Sequence, residues 1–223
     1  MRLRLREFRP RTGPHEHRVV QPRQPLRHTS LRAPEPIGIL LGDHDGLNRL
    51  AGLFSFAAYS RHTIVHVPLR DGVPPDEGVG ERVDLVLAHH TLGLRSSKWP
   101  ELRRRLVDGT PLTVRTDEAR TVRDAGSWTE HGQRADFRDG LRHATHARTF
   151  FLFGSRDVFA ATATYFAHAA GWGPHQKGVA KGHSALMTAL PALSQPPGGG
   201  HPLEVLICFK PYPPYAHFGR PGH

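Results

Sequence analysis

The sequence predicts an α/β fold: a Rossmann-like, mostly parallel sheet flanked by helices. Three observations predict it. Short apolar runs at 37–41 (IGILL), 83–88 (VDLVLA) and 149–153 (TFFLF) read as strands buried on both faces. Segments with helical spacing of apolar residues lie between them. Glycine, proline and aspartate punctuate the joints. Strand–helix–strand alternation of this kind favours parallel pairing with right-handed crossovers.

The elements follow in order. After the strand at 37–41, Leu47, Leu50 and Phe54 share one face of a helix over 47–59. Thr63–Val67 (TIVHV) alternates as a strand, and 71–80 is a Pro/Gly/acid loop. Trp99, Leu102 and Leu106 share a helical face, with Pro100 in the first turn and Gly109 as a left-handed stop. Pro111–Arg115 reads as a strand. Thr116 caps a helix that has Asp117 and Glu118 at its positive end, an Ala119/Val122/Ala125 stripe, and Gly126 as its terminator. Ser155 caps an Ala-rich, well-buried helix over about 157–170, which Gly171 stops. Residues 203–209 (LEVLICF) supply a last strand.

A length of 223 residues suits one domain with tails. The formal charge is +10, and its placement is uneven. Residues 1–36 hold nine arginines against Glu7, Glu16 and Glu35, which is +6, so residues 37–223 carry only +4. Alternating Arg and Leu at 2–6 suits a short strand. The prolines that follow, and the shortage of apolar surface, predict a disordered Arg/Pro-rich tail over 1–36. The α/β domain then spans 37–193. Residues 194–223 form a Gly/Pro linker, the last strand and a Pro-rich tail. The N-terminal segment is Arg-rich and acid-poor like a mitochondrial presequence, and it lacks the apolar stretch of a secretory signal. Single Cys208 excludes a disulfide framework and a Cys-based zinc finger. No apolar run reaches membrane-spanning length. The expected location is intracellular, with mitochondrion, cytoplasm and nucleus all open.

In open sheets of this class, ligands sit beyond the carboxyl ends of the strands. The residues placed there are Asp43, His44, Asp45, His89, His90, Thr116, Gly154, Ser155 and Asp157. Two carboxylates two residues apart after a strand resemble the first motif of haloacid dehalogenase-like phosphohydrolases. That resemblance implies Asp43 as nucleophile and Mg²⁺ ligand, Asp45 as general acid/base, Thr116 on phosphate and Asp157 as a further metal ligand. Two features depart from it: Leu47 stands where that motif has Thr, and no Lys lies between Thr116 and Asp157. A D-x-D-G turn also forms for backbone reasons alone. Of the 17 histidines, His143 and His146 would share a face if helical, and His89 and His90 would point apart if the strand ran through them.

The stretch from 61 to 131 resembles the C-terminal module of mitochondrial splicing suppressor and MYND-finger proteins. The matching pieces are HTIVHVPLRDG (62–72), VDLVLAHHTLGL (83–94), KWPELRRRLVDGTPLTVRT (98–116) and DEARTVRDAG (117–126), with Asp84, Trp99, Gly109 and Pro111 carrying the match. The MYND finger and the family's Asn-Pro-Phe stretch are missing. The resemblance implies a non-catalytic regulatory or adaptor domain in mitochondrial gene expression or transcriptional regulation, with protein partners and no cofactor. Two other readings stay open. One is the Mg²⁺-dependent phosphohydrolase. The other is a basic RNA-associated protein that binds nucleic acid weakly through its tail and Arg103–Arg105.

Overall fold

The computed structural model describes residues 1–70, 80–132, 139–190, 193 and 203–212. The 71–79 loop, the 194–202 linker and the tail beyond 212 lie outside the described residues. In chain order the strands and helices are β1 (Arg2–Phe8), β2 (Arg11–Thr12), β3 (His15–Glu16), β4 (Arg18–Pro22), β5 (Thr29–Leu31), β6 (Ile37–Gly42), α1 (His44–Ala58), β7 (Thr63–Val67), β8 (Asp84–His89), α2 (Trp99–Arg104), β9 (Thr110–Arg115), α3 (Glu118–Gly132), β10 (Arg142–His146), β11 (Thr149–Gly154), α4 (Arg156–Trp172), β12 (Ala185–Ala189) and β13 (Glu204–Phe209).

The main sheet has the order β10-β11-β8-β7-β4-β1-β9, and a second sheet the order β12-β13-β6-β5. The α/β layering is the one the sequence predicts. The share of parallel pairing is smaller than expected. In the main sheet only β8/β11 and β4/β7 are parallel, and in the second only β6/β13. The reason lies in the connections. A parallel neighbour needs a crossover of a dozen residues or more, usually helical. The described part of the β7–β8 connection holds no helix, and those strands pair antiparallel. The N-terminal strands β1 and β4 then fill the positions between β7 and β9.

That insertion overturns the disordered N-terminal tail. β1 is an interior strand, antiparallel to β4 on one side and to β9 on the other. Its alternation decides its orientation. Leu3 and Leu5 are buried, and Arg2, Arg4 and Arg6 are exposed on the opposite face. The prolines fall at strand ends and turns, where no ladder hydrogen bond is lost: Pro22 closes β4, and the Pro10 carbonyl accepts from the His17 N–H at the base of the β2–β3 hairpin.

One face of the main sheet carries α1 and α4. Leu5, Leu85, Leu87 and Leu152 meet Leu50, Phe54, Phe159 and Phe166 there. The other face is covered only in part. Trp99 and Leu102 of α2 close over Phe8, Val19, Ile64, Val86 and Phe151. A six-residue helix spans about 9 Å and cannot reach across the sheet.

Several local readings change. Gly109 does not end α2. Asp108 takes the left-handed turn (φ 53°), and Gly109 is needed because a Cβ would overlap the Phe8 ring. Gly109→Ala is therefore expected to destabilise by about 1–3 kcal/mol through overpacking, read as a fall in thermal midpoint by circular dichroism. The cap of α3 is Asp117, whose Oδ1 accepts from the Arg120 N–H at 2.9 Å, rather than Thr116. The helix continues through Gly126, and Thr121 and Ala125 face inward while Val122 is exposed. His143 and His146 lie on strand β10 rather than on a helix. The Ser155 cap holds, with its Oγ accepting from the Val158 N–H, but α4 runs past Gly171 to Trp172.

Candidate functional site

The positions singled out from the sequence separate into two groups. Asp43 and Asp45 flank the start of α1, and His44 between them bonds the Ala170 carbonyl at 3.0 Å. Asp157 lies thirteen residues back along α4, about 20 Å away at 1.5 Å per residue. Mg–O contacts need about 2.1 Å, so these carboxylates cannot share an ion. Among the described residues no group of three or more His, Cys, Asp or Glu side chains is placed to hold a metal. Asp43 has a backbone role. Its Oδ1 accepts from the Gly46 N–H at 2.8 Å and caps α1. Burial pushes its carboxyl up, and the Gly46 hydrogen bond partly offsets this. Asp45 is exposed beside Arg49. Thr116 bonds the Met1 carbonyl where β1 and β9 pair.

His89, His90, Gly154, Ser155 and Asp157 lie at the other end, where β8 and β11 finish side by side. The strand stops at His89, so the His89 and His90 rings do not point apart; their centroids are 4.4 Å from each other. Burial, then the neighbouring His90, Arg61 and His62, lowers the His89 pKa. Ser155 Oγ donates to Asp139 Oδ2 at 2.6 Å and accepts from Val158, so both its roles are structural. Asp157 pairs with Arg156 at 2.6 Å.

A cleft of about 750 Å³ opens beside this end, between the β2–β3 hairpin and residues 92–102. His15, His17, Arg95 and Lys98 border it, with Glu16 and Glu101. Both carboxylates are already engaged: Glu16 with Arg9 and Arg11, Glu101 with Arg105. Its surplus of cationic and imidazole groups suits an anionic ligand.

The most buried ionisable side chain among the described residues is one the sequence did not assign to a site. Asp84 is 1% exposed at the start of β8. Its Oδ1 accepts from the Leu69 and Arg70 N–H groups at 3.0 and 3.2 Å. Its Oδ2 meets His66 Nε2 at 3.3 Å, Arg70 Nε at 3.0 Å and Arg103 Nη1 at 3.7 Å. Gln21 Nε2 donates to His66 Nδ1 at 2.7 Å, which leaves Nε2–H to donate to Asp84. The Trp99 ring packs edge-on against His66 at 4.9 Å. Asp84 and Trp99, which lie fifteen residues apart in the chain, therefore meet through His66. The signal for this cluster was an Asp and a His inside otherwise apolar strands, since such groups must be paired when buried.

The electrostatics follow. Burial raises the Asp84 carboxyl, but the His66 hydrogen bond and the charges beside it win and hold it below the ordinary range. For His66, burial wins over Asp84 and lowers the pKa, so the ring stays neutral and the two arginines balance Asp84. The unfolded chain therefore takes up protons that the folded one refuses. His66 costs stability as pH falls below its ordinary value near 6.5, and Asp84 does so below its ordinary 3.8. The thermal midpoint is expected to fall from pH 7 to pH 5, and His66→Gln to flatten that fall; differential scanning calorimetry across the range reads both.

Comparison with models of protein families, with curated proteins and with solved structures finds no match to this chain.

Proposed function

We propose that this chain is a non-catalytic regulatory or adaptor domain that works by binding a partner. The observation that carries the reading is the separation of Asp43 and Asp45 from Asp157 by most of the length of α4. The phosphohydrolase alternative needs those groups within reach of one ion. The buried Asp84 cluster supports the same reading, because every oxygen of that carboxylate is engaged in holding β7, β8 and α2 together. The resemblance to the splicing suppressor module, carried by Asp84, Trp99, Gly109 and Pro111, supports a role in mitochondrial gene expression or transcriptional regulation.

The test is hydrolysis of p-nitrophenyl phosphate by the full chain with Mg²⁺. No turnover above buffer is expected. Turnover that disappears in Asp43→Asn, which keeps the α1 cap, overturns the reading.

A further inference from the structure

The exposed arginines of β1 form part of a cationic face. Arg2, Arg4 and Arg6 repeat every second residue, about 6.8 Å apart along the strand. The register places Arg115 of β9 directly opposite Arg2, and Thr113 opposite Arg4. On the β4 side, the Arg23 N–H bonds the Arg4 carbonyl, and Gln21 stands opposite Arg6. Side chains directly opposite in a ladder share a face. α2 stops over Phe8 and leaves this part of the sheet uncovered. Among the described residues none of Arg2, Arg4, Arg6, Arg23 and Arg115 has a carboxylate partner, whereas Arg9, Arg11, Arg18, Arg70 and Arg105 each have one.

Like charges directly opposite destabilise a sheet. Four guanidinium groups held in register, with Arg23 just past the end of β4, make sense when an anion of matching shape lies across them. We propose that this face binds single-stranded RNA through its phosphates. The proposal rests on the reading of the chain as a binding domain and names its partner. Three features select this occupant. The face is three strands wide, about 10 Å, the width of one nucleotide chain rather than a duplex. Its row of arginines is evenly spaced along one extended strand, as phosphates are along an extended nucleotide chain. It carries no large exposed apolar side chain to enter a bilayer: Ile37, Val107, Val122, Trp172 and Leu186, the exposed large hydrophobics among the described residues, lie outside it. No aromatic ring stands on it to stack bases, so recognition is by backbone and indifferent to sequence.

The test is fluorescence anisotropy of a labelled oligouridylate with the full chain across a salt series. Release of counterions by five arginines gives a slope of log affinity against log salt of about −3.5. Affinity then falls roughly 100-fold between about 50 and 200 mM salt. Arg4→Gln combined with Arg6→Gln brings the slope to about −2.1. The same double variant keeps or raises the thermal midpoint, because it relieves repulsion, so lost binding is not lost folding. Arg123→Gln combined with Lys177→Gln, two exposed positions off this face, serves as the charge-matched control and leaves the slope unchanged. A slope shallower than about −1, an equal loss in the Arg123→Gln/Lys177→Gln control, or tighter binding to phosphatidylserine vesicles or duplex RNA overturns the proposal. Failure here leaves the non-catalytic reading standing, since only Mg²⁺-dependent turnover contradicts that.

Discussion

Asp84→Ala is expected to cost about 3–5 kcal/mol, a large part of the stability of a domain this size. The loss comes from what remains behind. His66 is 3% exposed, and without Asp84 its Nε2–H has no acceptor. The Leu69 and Arg70 backbone N–H groups lose theirs as well. Arg70 and Arg103 then face each other across a buried gap with no anion between them. Asp84→Asn keeps the Oδ1 acceptor for the two backbone donors but removes the charge, and is expected to lie between wild type and alanine. Urea unfolding followed by tryptophan fluorescence reads both, and Trp99, packed on His66, reports directly from the cluster.

Deletion of residues 1–36 is expected to abolish cooperative folding. The segment contributes Leu3, Leu5, Phe8, Val19, Val20, Leu26 and Leu31 to the core, each under 9% exposed. At roughly 1.5–3 kcal/mol for each buried side chain, their loss is on the order of 10–20 kcal/mol. That matches or exceeds the whole stability of an ordinary domain, about 5–15 kcal/mol. The deletion also leaves β9 without a partner strand and exposes the edges of β7 and β6. A disordered tail would come off without effect on the melting transition. Loss of the near-ultraviolet circular dichroism signal and of a two-state transition is the expected result.

The legible part of the fold was the part with local periodicity. β7 follows its alternating TIVHV, β8 and β11 follow their aliphatic and aromatic runs, and α4 follows Ser155 and its alanines. Those signals depend on near neighbours in the chain. The N-terminal strands were obscured because composition pointed the other way: few apolar residues, many arginines and repeated prolines. The Arg-Leu alternation at 2–6 carried the correct signal, and its meaning depended on Thr110–Arg115, more than a hundred residues away, pairing with it. Strand direction was hidden for the same reason. Periodicity is identical in parallel and antiparallel strands, and only the connections distinguish them. At the candidate site, Asp43 and Asp45 were correctly placed after a strand. Their distance from Asp157 depended on the antiparallel packing of α1 and α4, which no local pattern encodes. Asp84 was visible as a motif residue, but its partners His66, Arg70 and Arg103, and Gln21 behind His66, come from three separate segments.

The charge of the chain takes on a different meaning with β1 inside the sheet. The +6 of residues 1–36 is not carried on a tether. Of that segment's nine arginines, Arg9, Arg11 and Arg18 pair with Glu7 and Glu16 of β1 and the hairpin. Arg2, Arg4 and Arg6 stand on one face of β1 at fixed spacing. The arginine face exists only if β1 is a paired interior strand, and backbone amide hydrogen exchange of the full chain tests this most directly. The amides of Leu3 and Leu5 are expected to exchange as slowly as those of Leu85 and Leu87 in β8, through global unfolding. Exchange of residues 2–8 at the rate of an unstructured peptide, with β8 still protected, would contradict the account.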